Sequence, residues 1–168
     1  MNESKQTVAV VPGSFDPITY GHIELVKAAL RSYEKVYLAV MINPTKEYLF
    51  TMEQRVAIAK AALADYRGVE VISSEGMLWK LAEELGATGI VKGYRNEADL
   101  AYEQKMADFN LSHNPNAPTE LIPSPKEWET LSSTVVRERI QHGLSLEGYL
   151  PSKAIAVVEE IISGRVSF

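Results

Sequence analysis

The stretch that decides the fold runs from residue 8 to residue 22 and reads VAVVPGSFDPITYGH. The β-branched run over residues 7–11 is typical of a buried parallel strand, and it stops at Pro12-Gly13, where the chain is expected to turn. A helical pattern begins just after Gly21. In an open α/β sheet, ligands bind where the carboxyl ends of strands meet the amino ends of helices. The stretch therefore predicts an anion site beside Ser14, Thr19 and His22.

The two glycines and the histidine each suit such a site. Gly13 would let the backbone turn sharply and let a ligand approach closely. Gly21 precedes the predicted helix, whose free N–H groups and dipole favour anions. His22 can donate a hydrogen bond to a phosphoryl oxygen or carry a positive charge beside it. A plainer interpretation is that the glycines only form a turn and that His22 is solvated, but the joint spacing favours the phosphate site.

Length and composition favour a single cytoplasmic domain over residues 1–168. A chain of this length can bury a sizeable core, and a hydrophobic fraction of 46% with 23% charged residues is ordinary for a globular protein. The net charge of −5 gives no general attraction for nucleic acid or anionic membranes, so phosphate binding requires a local basic cluster. The absence of cysteine excludes disulfides, thiolate catalysis and cysteine-ligated zinc. Residues 1–6 are polar and expected to be flexible, and no apolar run is long enough to span a membrane.

Strand and helix patterns alternate along the rest of the chain. Further strands are predicted over 36–42, 69–72, 88–92 and 120–122, and helices over 22–33, 51–66, 77–85, 96–112, 132–142 and from about 151. The second helix starts at a Thr51/Gln54 capping box and is expected to carry an apolar face formed by Val56, Ala59, Leu63 and Tyr66. The fourth carries Tyr102, Met106 and Phe109 on one face. This alternation predicts a doubly wound α/β fold, a parallel sheet with helices on both faces.

Three more polar segments follow predicted strands, at the same edge of the sheet as His22. The first, over 43–46, ends in Lys46, although a lysine after a strand is usually solvated. The second, over 92–95, places Lys92 and Arg95 on either side of a glycine; arginine offers phosphate a planar fork, and lysine a point charge. The third, over 131–134, places hydroxyls at a helix start, where they would bind an anion or simply cap the helix.

The motifs identify a resemblance to a known family. Thr19-Tyr20-Gly21-His22 resembles the (H/T)xGH signature of a nucleotidyltransferase superfamily, and residues 12–22 as a whole resemble the corresponding string of the bacterial phosphopantetheine adenylyltransferases. The segments over 92–110 and 131–137 match the family in the same order, so the resemblance runs from residue 8 to about residue 151. It implies a Rossmann-like sheet of five parallel strands. It also implies adenylyl transfer from ATP to 4′-phosphopantetheine, giving dephospho-coenzyme A and pyrophosphate by direct in-line attack.

The resemblance also implies the roles of individual residues. His22 would stabilise the transition state, with Lys46 beside the α-phosphate. The acceptor would be bound by Ser14, Lys46, Leu78 and Lys92. ATP would be bound by Ser14, Phe15, His22, Gly93, Tyr94, Arg95, Glu103, Trp128, Glu129, Thr130, Leu131, Ser132, Ser133 and Thr134. Lys92 stands where the family usually has arginine, so the charge is kept and the bidentate geometry is lost.

Further expectations rest on the resemblance alone. It implies Mg²⁺ on the ATP phosphates with few protein ligands, a homohexamer, and coenzyme A as a feedback inhibitor. No nucleic-acid or membrane partner is expected. Two alternatives stay open. A nicotinamide-mononucleotide adenylyltransferase or a cytidylyltransferase would share His22 and the hydroxyl-rich helix start, but such relatives more often have histidine where this chain has Thr19. A non-catalytic dinucleotide-binding module would be expected to carry a GxGxxG loop, which is absent after the first strand.

Overall fold

The computed structural model describes residues 6–164, with the exception of the side chain of Glu129. The flexibility expected of residues 1–5 and the ATP contact expected of the Glu129 side chain therefore lie outside the described part. The strands are β1 Val8–Gly13, β2 Lys35–Met41, β3 Val69–Ser74, β4 Gly89–Tyr94 and β5 Thr119–Pro123. The helices are α1 Tyr20–Ser32, α2 Met52–Ala62, α3 Leu78–Glu84, α4 Glu97–His113, α5 Ser133–Gln141 and α6 Ser152–Ile162, with a 3₁₀ helix over Lys126–Leu131 before α5.

The sheet has the order β3-β2-β1-β4-β5, and every neighbouring pair is parallel. This confirms the doubly wound α/β class with five strands. The order of the strands was not readable from the sequence. The direction of winding reverses between β1 and β4, and a crevice forms at such a switch point because the two connections leave toward opposite faces.

Alternation along β1 sends side chains into two separate cores. Ala9 and Val11 lie in the larger core, which is closed by residues of α1, α2, α5 and α6. Val8 and Val10 lie in the smaller one, together with Leu81 and other residues of α3. Helix α4 packs beside α3 and over β4 and β5. The sheet is thus covered on both faces, and its carboxyl edge is left free to form a site.

Capping residues define the helix starts that the sequence predicted. Thr51 and Gln54 form the expected capping box: the Thr51 hydroxyl accepts from the Gln54 N–H at 3.1 Å, and the Gln54 side chain accepts from the Thr51 N–H at 3.0 Å. The side chain of Asn96 accepts from the Asp99 N–H at 2.8 Å and begins α4. The predicted apolar face of α2 packs against the larger core, with Ala59 and Leu63 buried and Val56 and Tyr66 partly buried. The sequence did not predict that Arg55 is buried on the same helix.

Three of the boundaries that differ from the predicted ones move a residue of the predicted site. Strand β1 continues through Pro12-Gly13, because these residues stay in register with β2. Strand β4 continues to Tyr94, paired with β5, so Gly93 belongs to the strand and not to a loop. Helix α1 begins at Tyr20 with Thr19 as its N-cap. Gly21 and His22 therefore both lie inside the first helical turn.

The apolar face of α4 is turned away from the core. Tyr102 is 61% exposed and Phe109 41%, with Met106 between them, whereas Ala107 and Asn110 are the buried residues of this helix. Apolar side chains exposed together on one face are typical of a surface that contacts another molecule.

The start of β4 supplies a direct test of the packing. A Cβ added at Gly89 would overlap the Tyr33 hydroxyl and lie 2.7 Å from Tyr33 Cζ. We expect Gly89→Ala to lower the free energy of unfolding by about 1–3 kcal/mol, as overpacking does in a filled interior. Gly76→Ala is the matched control, because the nearest atom to its added Cβ would be 4.0 Å away. Urea unfolding of both variants measures the difference, and equal stability would contradict the packing described here.

Candidate active site

A cavity of about 550 Å³ opens at the carboxyl ends of β1 and β4, at the switch point of the sheet. Its wall is formed by the loop after β1, the first turns of α1, the ends of β4 and β5, the 3₁₀ helix and the start of α5. Most of the predicted site residues border it: Ser14, Phe15, His22, Lys46, Lys92, Gly93, Arg95, Trp128, Leu131, Ser132, Ser133 and Thr134. The predicted edge of the sheet is therefore where these residues meet.

Phe15 is the structural support beneath the first loop. Its backbone has φ 47°, a left-handed conformation that is strained for a bulky side chain. The ring is buried, lies under Gly13 and meets the ring of His22 edge-on, with centroids 5.0 Å apart. A Cβ at Gly13 would come 2.9 Å from Phe15 Cζ, so Gly13 makes room for this ring and does not turn the chain as predicted. With its ring buried, Phe15 can offer a nucleotide only its backbone.

The hydrogen bonds of His22 define its tautomer. The buried Thr19 N–H donates to His22 Nδ1 at 3.0 Å, and the Thr19 hydroxyl lies 3.3 Å from the same nitrogen. A nitrogen that accepts carries no proton, so the neutral ring is protonated on Nε2. Burial lowers the pKa of His22 from 6.5 to about 4. Of the two roles considered from the sequence, the free protein therefore favours the neutral hydrogen-bond donor.

The carboxylate of Asp16 fastens two distant segments to the first loop. It is nearly fully buried and accepts hydrogen bonds from the N–H groups of Leu49 at 2.8 Å and Phe50 at 3.0 Å. Its Oδ2 lies 3.9 Å from Arg137 Nη1, which also donates to the Asp16 carbonyl at 2.9 Å. The loop before α2 and the body of α5 are thereby held beside His22.

Lys46 extends from a tight turn on the loop that Asp16 holds. The Lys46 N–H donates to the Asn43 carbonyl at 3.0 Å, and the Asn43 side chain accepts from the N–H and the hydroxyl of Thr45. The residue is exposed and borders the cavity. Within the described part of the chain, Lys46 takes part in no ion pair. Its charge is therefore available to an anion in the cavity.

The hydroxyls at the start of α5 are engaged by the protein. Ser132 is the N-cap and accepts from the Val135 N–H at 3.2 Å, and Ser133 donates to the Pro17 carbonyl at 2.8 Å. Thr134 accepts from Arg137 Nη2 at 3.1 Å. The capping interpretation thus holds for Ser132. What this turn offers an anion is the backbone N–H groups of its first residues, which have no partner inside the helix.

Lys92 and Glu103 form an ion pair, with side chains 23% and 12% exposed. Lys92 borders the cavity, whereas Glu103 does not and contacts Lys92. A residue expected to bind the acceptor, Lys92, is therefore paired with one expected to bind ATP, Glu103. Arg95, at the mouth, is largely exposed, and its N–H donates to Asp99 Oδ2 at 3.0 Å.

The remaining predicted residues are not part of the cavity wall. Leu78 packs against the smaller core on the side of α3. Tyr94 is half-buried at the end of β4, and the exposed Thr130 donates its hydroxyl to the Glu127 carbonyl at 3.3 Å. The contacts of Asp16, and the burial and contacts of Arg55, were not predicted from the sequence. The only signal for Arg55 is a charged residue at a helical position that turns inward.

Two classes of feature are absent from the described part of the chain. Residues 6–164 contain no group of three histidine, cysteine, aspartate or glutamate side chains placed to hold a metal ion. None of the helices in this range is both long and apolar enough to cross a membrane.

The fold and the cavity define a class: an α/β protein with a cavity at its switch point, bordered by the first turns of α1 and α5. The cytidylyltransferase-like family matches the chain over residues 10–139. The phosphopantetheine adenylyltransferases of Streptococcus pyogenes serotypes M5, M49 and M1 are each 39% identical to it over 155 residues, which cover 92% of this chain and 95% of theirs. The chain therefore belongs to the phosphopantetheine adenylyltransferases of the cytidylyltransferase-like family, as the resemblance implied.

The protonation state and tautomer of His22 can be measured directly. Because its pKa is lower in the folded chain than the ordinary 6.5, the unfolded chain binds more protons as the pH falls from 6.5 to about 4. The stability that neutral His22 contributes is thus fully present above pH 6.5 and is lost toward pH 4. Nitrogen-15 spectra of the imidazole should show the Nε2–H tautomer at neutral pH and a pKa near 4. In urea unfolding, the free energy of unfolding of His22→Gln should fall less on acidification than that of the wild type. A measured His22 pKa at or above 6.5 would contradict the assignment.

A substitution at Gly21 can test ligand binding separately from folding. An added Cβ would lie 3.5 Å from Thr19 Oγ1 and 3.9 Å from Trp128 Cβ, which are ordinary contacts, but it would occupy the cavity wall. We expect Gly21→Ala to keep or raise the stability, since alanine favours a helix by up to about 1 kcal/mol over glycine. It should weaken ATP binding roughly tenfold or more, which is about 1.4 kcal/mol. Calorimetric titration with ATP measures this loss, and unchanged affinity would show that the phosphates lie elsewhere.

Proposed function

We propose that this protein transfers the adenylyl group of ATP to 4′-phosphopantetheine, giving dephospho-coenzyme A and pyrophosphate in coenzyme A biosynthesis. Its place in the family supports this activity. The observation that carries the proposal is one cavity with two kinds of anion-binding group. Neutral N–H donors of His22 and of the start of α5 border this cavity together with the ammonium groups of Lys46 and Lys92. Two phosphate-bearing substrates can therefore meet there.

The reaction requires little proton chemistry from the protein. An oxygen of the acceptor phosphate attacks the α-phosphorus of ATP, the bond from this phosphorus to the bridging oxygen breaks, and its electron pair leaves with pyrophosphate. The attacking oxygen is already anionic at neutral pH, so no general base is needed. The protein contributes position and charge stabilisation, which is how phosphoryl transfer is generally catalysed.

We assign His22 to the transferred phosphate. Its Nε2–H would donate to a non-bridging oxygen of the α-phosphate, where negative charge grows in the transition state. The bond from the Thr19 N–H and the edge-on ring of Phe15 keep the imidazole in this orientation without ligand. Lys46, on its exposed turn, would lie beside the same phosphate and neutralise it.

We assign the acceptor to Ser14, Lys46 and Lys92, with its apolar arm toward Leu78. Lys92 would turn from Glu103 to the acceptor phosphate, and Glu103 would then accept from a ribose hydroxyl of ATP. ATP would lie along the backbone of Phe15, the end of β4 over residues 93–95, and residues 128–134. In this arrangement the cavity residues bind phosphates, and the residues behind them bind ribose and the apolar arm.

We propose that Mg²⁺ enters with ATP. No metal-binding cluster of acidic or histidine side chains occurs in residues 6–164, and the Asp16 carboxylate is occupied by two N–H groups. Mg²⁺ keeps several waters and binds readily through substrate phosphates, and there it would neutralise the leaving pyrophosphate.

We also propose that the protein is a homo-oligomer. The exposed apolar face of α4, with Tyr102, Met106 and Phe109, supports burial against another copy of the chain. The hexameric state, inhibition by coenzyme A and a cytoplasmic location stay predictions from the resemblance.

Acceptor choice tests the function. Pyrophosphate release should be measured with ATP and magnesium and one acceptor at a time: 4′-phosphopantetheine, nicotinamide mononucleotide or a phosphocholine-type compound, the last with CTP as well. We expect release with 4′-phosphopantetheine alone, and almost none from His22→Ala. Release only with another acceptor would keep the family fold and overturn the substrate, and release with none would overturn the activity.

A further inference from the structure

Arg55 is a buried cation for which the mechanism above has no role. It lies on α2, is 2% exposed, and is among the largest fully buried side chains of the described residues. It takes part in none of the ion pairs found between residues 6 and 164. Burying a guanidinium away from water is costly unless its partners compensate for the lost hydration. Those partners therefore indicate what the residue does.

The partners of Arg55 are two carbonyl oxygens and one aromatic ring. Arg55 Nη1 donates to the Ser14 carbonyl at 2.9 Å and to the Met41 carbonyl at 3.2 Å. Met41 is the last residue of β2, and Ser14 directly follows β1. The guanidinium carbon lies 4.0 Å from the centre of the Tyr48 ring, a close cation–π contact. One side chain thus joins the ends of the first two strands to the loop between β2 and α2.

Tyr48 carries this contact on to the turn of Lys46. The Tyr48 hydroxyl accepts from the Asn43 N–H at 2.7 Å, and Asn43 is the residue whose carbonyl and side chain form that turn. A continuous path therefore leads from Arg55 to Lys46 through Tyr48 and Asn43. A second, direct contact leads from Arg55 to Ser14. These two ends are the groups assigned above to the acceptor phosphate.

The charge of Arg55 also suits this place. Carbonyl oxygens at the carboxyl ends of strands carry partial negative charge and would repel a phosphate. A guanidinium that binds two of them offsets this repulsion, and its own charge acts at short range in a poorly solvated environment.

We propose that Arg55 is a positioning residue for the acceptor phosphate, acting through the Ser14 backbone and through Tyr48 on Lys46. This inference rests on the proposed function. It predicts that loss of Arg55 impairs use of the acceptor more than use of ATP. Ser14 and Lys46, which are assigned to the acceptor, are both held through Arg55, whereas most contacts assigned to ATP, on α1, β4 and α5, do not involve it.

Steady-state kinetics of Arg55→Lys and Tyr48→Phe test the proposal, with Lys60→Met as the control that removes an exposed cation from the same helix. We expect Arg55→Lys to lower kcat/KM for 4′-phosphopantetheine by about 10- to 100-fold, as misplacement of a reacting group by roughly 1 Å does. The KM for ATP should stay within about twofold. Tyr48→Phe keeps the cation and the ring and removes only the hydrogen bonding to Asn43. It should therefore lower kcat/KM for 4′-phosphopantetheine by a smaller factor, again with little change in the KM for ATP.

A purely structural role would give a different pattern. Arg55→Lys would then lower the melting temperature and the active fraction while leaving both KM values unchanged, and this result would overturn the proposal. Parallel losses for ATP and acceptor would overturn it as well. If Arg55→Lys does not fold, Tyr48→Phe alone decides: a loss in kcat/KM for the acceptor without a matching loss for ATP supports the proposal, and any other pattern overturns it.

The wild-type protein separates this proposal from the proposed function. A wild-type protein without pyrophosphate release contradicts the function, whereas an active one with unaltered Tyr48 and Arg55 variants contradicts only the positioning role. Calorimetric titration with 4′-phosphopantetheine gives the same comparison without turnover. Weaker binding by the two variants than by Lys60→Met supports the proposal, and equal binding overturns it.

Discussion

The carboxylate of Asp16 is the contact on which the cavity depends, because it joins three parts of the chain that the sheet does not bring together. It accepts the N–H groups of Leu49 and Phe50 and pairs with Arg137 of α5. Without it, the buried Phe50 N–H would lose its partner, which costs about 1–3 kcal/mol for a buried group. The loop that carries Lys46 would then be held by the contacts of Tyr48 and by the packing of the Phe50 side chain in the larger core.

The cavity also concentrates positive charge within an acidic protein. The chain has a net charge of −5, yet Lys46, Lys92, Arg95 and Arg137 border one cavity, with Arg55 behind its floor. Short-range attraction in a partly desolvated cleft outweighs a diffuse opposite charge, which salt screens within about 10 Å. This is the local basic cluster that the composition required. The first turns of two helices add backbone donors that need no net charge.

The sequence predicted the features that depend on local pattern. Element types, the capping box at Thr51 and the edge that carries His22 all follow from periodicity and from helix-end chemistry. Strand order does not, because it depends on which faces pack together. The hydrogen bond between Asp16 and Leu49 and those from Arg55 to Ser14 and Met41 join residues that are distant in sequence. The local pattern shows at most that Arg55 lies at an inward-facing helical position, and it does not predict these partners.

A crystal structure with a non-hydrolysable ATP analogue and magnesium tests the central claim most directly. That claim is our proposal that the cavity at the switch point is the reaction centre and that His22 acts within it as a neutral hydrogen-bond donor. A non-bridging oxygen of the α-phosphate should lie about 3 Å from His22 Nε2, with Nδ1 still accepting from Thr19. The neighbouring space toward Lys46 should remain open for the acceptor phosphate. An α-phosphate bound away from His22, or a ring turned so that Nδ1 faces the phosphate, would contradict the account.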